Sequence, residues 1–373
     1  MINTEHFWRD ILLFVLGLAV VYAILRYTLF KKVKNPKKAS DITINSMIAL
    51  GILFLIYRIF IAIEIPGGGL FLILNAVLGS IVDVCVLALA TTGIVLIFKT
   101  STTTNFSQGM IATVAAFTAA KVVAHLASTY ADMSAGMVIA LAMIIGAMTS
   151  FMIGIVIDVF IIRKSKFPSP IGKQMITMGL VLAFTGLIPI VFGTLALAVP
   201  KLSYAENLRF TINELPYTVT IHSMYALGIT VVLLTLLFSL LRFTKWGLGV
   251  RATASNELVA SMMGVNTRVI TAMSWAIAGL LGGVAAILVA PKSGTLQVAM
   301  MVPTQVNGFL AAILGSFSSF AGPLISSILI PILSSVLSII SSTWQNAIVY
   351  VIILVIVLVK PSGLFGKQVA KKV

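Results

Sequence analysis

Residues 242–270 read RFTKWGLGVRATASNELVASMMGVNTRVI, the longest mixed polar stretch between two strongly apolar segments in the C-terminal half. Four cations stand in this stretch against a single acid, Glu257. The segments on either side are apolar enough to lie within a membrane. The sequence therefore predicts a loop at a membrane surface, where a soluble partner can bind.

The composition of the whole chain is that of a membrane protein. Of its 373 residues, 60% are hydrophobic and 9% are charged, whereas a soluble domain carries roughly 25% charged residues. Apolar runs of about 20 residues recur, the length needed to cross a hydrocarbon core of roughly 30 Å. A transmembrane β-barrel would instead show alternating segments of about ten residues. The predicted fold class is all-α, a polytopic transmembrane helical bundle.

The apolar runs predict about ten membrane segments. Residues 1–69 form an N-terminal extension with two transmembrane helices, near residues 11–30 and 44–63, and residues 70–373 form the core. The first ten residues lack a basic region, so the first span is not predicted to be a cleavable signal. The core segments are predicted near residues 70–98, 110–127, 136–162, 174–192, 222–241, 271–290, 302–317, 322–340 and 347–359.

The distribution of cations predicts the orientation in the membrane. With a cytoplasmic C-terminus, the cytoplasmic segments hold 18 of the 25 Lys and Arg residues. Five lie on the outer side, counting Lys121 in the outer half of its span, and Arg26 and Arg58 lie inside spans. Cytoplasmic loops carry the excess of Lys and Arg. We therefore expect a multi-pass protein of the cell membrane, with its N-terminus outside and residues 242–270 in the cytoplasm. The net charge of +15 then reflects contact with anionic lipid, and no nucleic-acid partner is expected.

Within the loop, the spacing of apolar residues predicts a short amphipathic helix. Ser255 or Asn256 can cap its start, and Gly264 can end it in a left-handed turn. We expect its small residues to let a partner approach closely; the plainer alternative is a surface helix without a partner. The apolar face carries Leu258, Val259, Met262 and Met263, and the small and polar face carries Asn256, Glu257, Ala260 and Ser261.

A second polar connector, residues 99–109, joins two apolar segments and ends in the sequence NFSQG. Irregular backbone near membrane depth is tolerated where it lines a cavity or is buried in protein. Two interpretations remain open: contact with a polar solute on a translocation pathway, or an ordinary cytoplasmic turn. The residues concerned are Asn105, Ser107, Gln108 and Gly109.

Asp83 is the acid that stands deepest in a predicted span. Intramembrane carboxylates are costly and are functional candidates by default. Asp83 can contact the ammonium group of a solute, form a hydrogen bond to a neighbouring helix, or pair with Arg58. Asp158 precedes Arg163 by five residues near the inner surface, where snorkelling or an ion pair is the expected arrangement.

Small residues recur every four positions in the segment that follows the loop. Such a stripe lets a neighbouring helix approach closely in a membrane. We expect this helix, joined directly to the loop, to transmit a rigid-body shift, although static close packing is the alternative. The stripe comprises Ser274, Ala278, Gly282 and Ala286.

The sequence carries no signature of an enzyme. The three histidines are far apart, and no HExxH, cysteine cluster or nucleophile elbow occurs, so no metal site is predicted. No GxxxxGK[ST] motif occurs either, so the chain has no P-loop for ATP. The single cysteine, Cys85, lies in an apolar run and is expected to be a small core residue.

Four motifs in order resemble one known family. The segment RATASNELVASMMGVNTR, residues 251–268, resembles the cytoplasmic coupling loop of the permease subunits of branched-chain amino acid ABC importers. NFSQG resembles the family's NFAHG, FLAAILGSFSSFAGP at residues 309–323 resembles its LGG-x-GS stretch, and KPSGLFG at residues 360–366 resembles its RPxGLxG. The departures are Ser-Asn before Glu257, Gln for His in NFSQG, and LGS for LGG.

The resemblance implies a type II-like ABC importer permease that forms the pathway for leucine, isoleucine or valine and works with a separate ATPase. ATP and Mg²⁺ would be used by that partner, and this chain would bind no cofactor. A second permease subunit and an extracytoplasmic solute-binding protein are the other partners implied. The alternatives are a related permease for urea, amides or nucleosides, an ion-coupled secondary transporter, or a membrane scaffold. The resemblance assigns ATPase coupling to Arg251, Ala252, Asn256, Glu257, Ala260 and Gly264.

Overall fold

The computed structural model describes residues 68–366, apart from 131, 166–168, 195–196, 198, 200, 203–206 and 213–214, together with scattered positions between 9 and 57. The two helices predicted in the extension of residues 1–69 lie almost wholly outside the described residues, as does Arg58.

The described core is a bundle of helices with one small hairpin. Seven helices of the described part are long and apolar enough to cross a membrane. The predicted fold class, an all-α transmembrane bundle, is confirmed. The helices are α1 (Gly68–Gly79), α2 (Ile81–Ser101), α3 (Gln108–Thr129), α4 (Ala135–Val156), α5 (Pro170–Phe192), α6 (Ile221–Phe243), α7 (Lys245–Ser255), α8 (Glu257–Met262), α9 (Thr267–Val289), α10 (Val302–Gly315), α11 (Ala321–Ser338) and α12 (Gln345–Val359).

Most predicted segments coincide with these helices, but the segment at residues 70–98 is divided. It consists of α1 and α2, with a turn at Ser80 between them. The backbone N–H of Ser80 donates to the carbonyls of Ala76 and Val77, and its hydroxyl donates to Val77 at 2.8 Å. The sequence conceals this break because the residues on both sides are equally apolar. Two further short elements are a π-helix, Ile157–Ile162, which continues α4, and a 3₁₀ turn, Ala290–Lys292, after α9.

A β-hairpin lies in the polar segment at residues 200–220, which the predicted topology places outside, between the segments at residues 174–192 and 222–241. The antiparallel strands β1 (Leu208–Ile212) and β2 (Leu215–Val219) pair with Leu208 opposite Val219. Tyr217 is buried, and its ring lies 5.2 Å from Phe71 of α1. The hairpin was not predicted, since five-residue strands leave too short a pattern to recognise. It fastens this segment to the start of the bundle.

Helix α9 is the central element of the core. Its 23 residues span about 34 Å at 1.5 Å per residue. Neighbouring helices approach it closely: Gly93 of α2 lies against Ala278, and a Cβ atom at Gly93 would come within 3.2 Å of the Ala278 carbonyl oxygen. On another side, Gly279 lies against the backbone carbonyl of Ser150 in α4. All four residues of the predicted stripe are buried in these contacts: Ser274, Ala278, Gly282 and Ala286.

Candidate functional site

The loop at residues 242–270 folds into α7 and α8, and its first bend is fixed locally. The Thr244 hydroxyl accepts a hydrogen bond from the Gly247 N–H at 3.1 Å, which caps α7. Gly247 itself lies against the carbonyl oxygens of Leu240 and Leu241, where a side chain would not fit. The Arg251 guanidinium donates to the Leu241 carbonyl at the end of α6. A cation is favourable there, because the last carbonyls of a helix carry partial negative charge.

The second helix of the loop has the caps expected from sequence. Asn256, rather than Ser255, caps α8, since its Oδ1 accepts from the Val259 N–H at 3.1 Å. Gly264 has φ +85°, in the left-handed region that favours glycine. The Val265 N–H then donates to the Ala260 carbonyl at 3.0 Å, which closes the end of the helix. Helix α8 is therefore held at both ends.

Every residue of α8 except Ala260 is exposed, so the whole apolar side of this helix is accessible. Met262 and Met263 are 78% and 80% exposed, and Leu258 is 68% exposed. Ala260, in contrast, is 5% exposed and packs against the chain itself. The expectation that the small side of α8 is the accessible one is thus wrong for Ala260, because this alanine is what lets α8 lie close to α7 and α9. Of the other residues predicted for coupling, Arg251, Asn256, Glu257 and Gly264 are exposed and Ala252 is half-buried.

A groove accompanies this apolar surface. It has a volume of about 400 Å³ and lies between α7 and the start of α9. Leu248 on its wall is 61% exposed. The loop thus combines a fixed helix, projecting methionines and an adjacent groove, a combination that suits docking on a protein partner. The groove is lined by Lys245, Trp246, Leu248, Gly249, Val265, Asn266, Val269 and Ile270.

The start of α9 is tied to the end of α4 by a hydrogen bond from Arg163, a residue that also forms an ion pair. Asp158, in the π-helix, lies 2.5 Å from an Nη atom of Arg163, which confirms the predicted pair. The same guanidinium donates to the backbone carbonyl of Arg268 at 2.7 Å. These contacts connect the start of α9 with the end of the helix that continues α4. The contact with Arg268 escaped the sequence analysis, since 105 positions separate the two residues.

The NFSQG connector returns into the bundle rather than remaining at the surface. Gln108 donates from Nε2 to the Ala278 carbonyl at 2.6 Å, so α3 begins beside the middle of α9. Asn105 donates from Nδ2 to Gln108 Oε1 at 3.1 Å, and its own Oδ1 accepts from the N–H and the hydroxyl of Ser107. Asn105, Ser107, Gln108 and Gly109 are all buried. These polar groups therefore satisfy one another inside the protein.

Gln305 of α10 completes this network. Its Oε1 accepts from the Gly109 N–H at 2.5 Å, and its Nε2 donates to the Phe106 carbonyl. The Phe106 N–H donates to the Thr177 hydroxyl of α5 at 3.2 Å. The first turn of α3 is thus fastened to three helices. Sequence reasoning missed Gln305; the signal that could have found it is the group of polar residues Thr304, Gln305 and Asn307 in the first half of α10.

Asp83 is not deep in a span, which corrects the expectation from sequence. It lies in the first turn of α2, with its side chain 37% exposed. Its partner is Lys292, whose Nζ is 2.6 Å from Asp83 Oδ2. The break at Ser80 explains the difference, because α2 begins at Ile81, only two residues before Asp83. Asp83 and Lys292 both line a polar cavity of about 610 Å³.

A bundle of long apolar helices carrying a structured surface loop defines a multi-pass α-helical membrane protein. Within that class, the chain belongs to the family described as branched-chain amino acid transport system / permease component, whose model matches residues 76–358. The resemblance stated from the four motifs is confirmed. The match lies within the core predicted at residues 70–373.

Several characterised relatives carry names of the same kind. The high-affinity branched-chain amino acid transport system permease protein LivH of Escherichia coli (strain K12) is 25% identical over 174 residues, 46% of this chain and 53% of the relative. The corresponding protein BraD of Pseudomonas aeruginosa is 22% identical over 169 residues, 44% of this chain and 55% of the relative. The chain thus spans about half the length of these two relatives.

A more extended match is with an archaeal protein. The probable branched-chain amino acid transport permease protein LivH of Methanocaldococcus jannaschii is 24% identical over 302 residues, 77% of this chain and 91% of the relative. No solved structure matches the chain.

Proposed function

We propose that this chain forms the translocation pathway of a binding-protein-dependent ABC importer for branched-chain amino acids, driven by a separate ATPase subunit. The observation that carries the proposal is α8, a helix capped at both ends that projects Met262 and Met263 from the loop between two membrane spans. Exposed apolar side chains on a polar loop are costly unless a partner covers them. Family membership supplies the context of transport.

The ATPase would dock on the surface formed by α7 and α8. The sequence has no P-loop motif, so the partner would bind ATP and Mg²⁺. This chain would bind no cofactor. Methionine is unbranched and polarizable, which suits a surface that must follow a partner through different nucleotide states. Exposed Arg251, Asn256, Glu257 and Gly264 surround the apolar residues, and the half-buried Ala252 and buried Ala260 hold α8 in place.

Movement of the loop would reach the pathway through α9. This helix starts at Thr267, only a few residues after α8, and its small residues seat it against α2, α3 and α4. Close packing without flexible side chains makes α9 move as a rigid body. ATP-driven closure of the ATPase would shift α9 along its neighbours and change which side of the membrane has access to the pathway.

The other assignments complete the assembly. The NFSQG residues Asn105, Ser107, Gln108 and Gly109 would border the pathway and hold the start of α3 at the level of Ala278. A second permease subunit would form the other half of the pathway. An extracytoplasmic binding protein would deliver solute to the outer side, where the β1–β2 hairpin lies in the predicted topology. The surrounding partner is membrane lipid, with the C-terminus in the cytoplasm.

The test is reconstitution of uptake. The chain is co-expressed with the ATPase subunits, second permease and binding protein of its system, purified as a complex and placed in proteoliposomes. We expect accumulation of radiolabelled leucine that requires both ATP inside and binding protein outside. Accumulation driven by an ion gradient without ATP would favour a secondary transporter and overturn the proposal. ATP-dependent uptake of urea or a nucleoside, but not of leucine, would correct the solute.

A further inference from the structure

A polar cavity of about 610 Å³ lies at the end of α9 that is remote from the loop. Its walls come from α1, α2, α10, α11 and α12, and Lys292, directly after α9, stands at its edge. The loop adjoins the start of α9 at Thr267, about 34 Å away along the helix. The volume is in the range of sites for small organic ligands. This cavity is separate from the surface on which an ATPase would dock.

The cavity presents one negative and one positive charge side by side. Asp83 Oδ2 and Lys292 Nζ are 2.6 Å apart, and their side chains remain 37% and 61% exposed. Each group therefore keeps unused hydrogen-bonding capacity, since a carboxylate accepts about four hydrogen bonds and an ammonium donates three. A ligand with one positive and one negative group can bind both residues, with its positive group beside Asp83 and its negative group beside Lys292.

An unpartnered polar atom points to the same ligand. Asn307 of α10 lines the cavity, and its Oδ1 is buried and accepts no hydrogen bond from any residue that the structure describes. A buried acceptor left without a donor is energetically unfavourable. An ammonium or amide group bound in the cavity would remove that cost. Hydroxyl groups of Thr304 and Ser334 stand on the same walls.

Part of the cavity lining is apolar. Val86 and Leu87 of α2, Ile330 of α11 and Val349 of α12 line it, and all four are buried within the bundle. Aliphatic side chains and an ion pair in the lining of one cavity suit a ligand with a charged end and an apolar end. Urea has neither a full charge nor an apolar end, and a nucleoside has no ammonium group.

We propose that this cavity binds a zwitterionic α-amino acid with an aliphatic side chain. Its ammonium would contact Asp83 and Asn307, its carboxylate would contact Lys292, and its side chain would lie against Leu87 and Ile330. The inference rests on the proposed function and deepens it by placing a solute site within a single chain. The Asp83–Lys292 pair acts as a recognition element, not only as a tie between α2 and the segment after α9.

The first test uses the unaltered full-length chain and therefore does not depend on the folding of a variant. The chain is purified into nanodiscs without an ATPase, and saturable binding of radiolabelled L-leucine is measured by scintillation proximity. Unlabelled L-leucine and L-isoleucine should compete at similar concentrations. Leucinol, which lacks the carboxylate, 4-methylpentanoate, which lacks the ammonium, and glycine, which lacks the side chain, should each compete at least tenfold more weakly. Equal competition by leucinol or 4-methylpentanoate would overturn the proposal.

The second test places the site. Asp83→Asn, Lys292→Gln and Asn307→Ala should each weaken L-leucine binding by tenfold or more, and Lys201→Gln, which removes an exposed cation elsewhere, should leave it unchanged. If the Asp83 or Lys292 variant does not fold, Asn307→Ala and the analogue series still decide. Leucine affinity that stays within twofold in folded Asp83→Asn and Asn307→Ala would exclude this cavity.

The outcome is distinguishable from that of the proposed function. Suppose that ATP-dependent leucine uptake persists unchanged in complexes with Asp83→Asn and Asn307→Ala. That result would support the proposed transport function and overturn the proposal that this cavity binds the amino acid. Saturable, variant-sensitive binding of leucine to the isolated chain would support the cavity even where uptake in proteoliposomes is driven by something other than ATP.

Discussion

Two polar interruptions of the apolar sequence, the connector at residues 99–109 and the loop at residues 242–270, have opposite arrangements in the structure. In the connector, the polar side chains of Asn105 and Gln108 are buried, and each is hydrogen-bonded. In the loop, the apolar side chains of Met262 and Met263 are exposed. Both stretches break a run of membrane spans, so sequence polarity does not distinguish them.

The difference distinguishes residues that hold helices together from residues that are proposed to bind a partner. Buried polar groups that satisfy one another fix the relative position of helices, because each becomes costly once its partner is removed. Exposed apolar groups on a capped helix contribute little to folding and are free to bind. Substitutions in the connector should therefore cost stability, and substitutions on α8 should cost partner binding. The predictions below run from the largest expected loss of stability to the smallest.

Substitutions in the connector at residues 99–109 should cause the largest loss of stability. Gln108→Leu keeps nearly the same volume but leaves Asn105 Nδ2 buried without its acceptor and removes the second hydrogen bond to the Ala278 carbonyl, which keeps its bond within α9. We expect a loss of about 2 to 4 kcal/mol, since the orphaned amide costs about 1–3 kcal/mol and the lost hydrogen bond about 1 kcal/mol more. The free energy of unfolding is measured by denaturant titration in mixed micelles. Gln297→Leu, at an exposed position, should change stability by less than about 0.5 kcal/mol; a similar loss in both variants would contradict the assignment.

The next largest loss of stability is expected at Arg163, which pairs with Asp158 and links the end of α4 to the start of α9. Arg163→Gln removes the partner of Asp158, whose side chain is 5% exposed, and the donor to the Arg268 carbonyl. We expect a loss of about 1–3 kcal/mol, the cost of leaving a buried group unsatisfied. A double-mutant cycle with Asp158→Asn measures the interaction itself. Lys164→Gln, at the adjacent cation, is the control. A cycle with no coupling energy would show that the Asp158–Arg163 pair does not contribute to stability.

The caps of α8 should have a smaller effect. Asn256→Ala removes the acceptor for the Val259 N–H, and Gly264→Ala places a side chain at φ +85°. Each should cost about 1 kcal/mol. The change is local, so hydrogen exchange of amides in residues 257–265 is the measurement. Asn256→Asp keeps a capping oxygen and should preserve protection, whereas loss of protection in Asn256→Asp as well would mean that the cap is not the cause.

What sequence predicted well is what depends on neighbours along the chain. The start of α8 at Asn256 and its end before Gly264 follow from capping chemistry within a few residues. The apolar face of α8 follows from helical spacing alone. Most span positions follow from the lengths of apolar runs. Each of these is decided by a window shorter than 25 residues or so.

What sequence could not give depends on pairs that are distant along the chain. Asp83 and Lys292 are separated by 209 positions, and neither predicts the other without the fold. Gln305 meets Gly109 across 196 positions, although each segment alone looks like part of an ordinary span. Burial of Ala260 likewise required the way α8 folds back onto its neighbours. Local patterns therefore located α8, the helix proposed for docking, and the tertiary fold was needed to find the buried hydrogen-bond network of the connector and the cavity.

The exposed methionines of α8 should show almost no cost in stability and the clearest loss of binding. Met262→Ser combined with Met263→Ser removes two side chains that are 78% and 80% exposed, so the free energy of unfolding should change by less than about 0.5 kcal/mol. Retention of the ATPase subunits by the affinity-purified chain should fall at least tenfold. Met137→Ser, on a methionine that is 55% exposed at the predicted outer end of α4, is the matched control and should retain them. Full retention by the double variant would remove α8 from the docking surface, and equal loss in Met137→Ser would show that the effect is not specific to the loop. A destabilised double variant would instead place Met262 and Met263 with Gln108 among the residues that hold the fold, which would end the contrast between the two polar stretches.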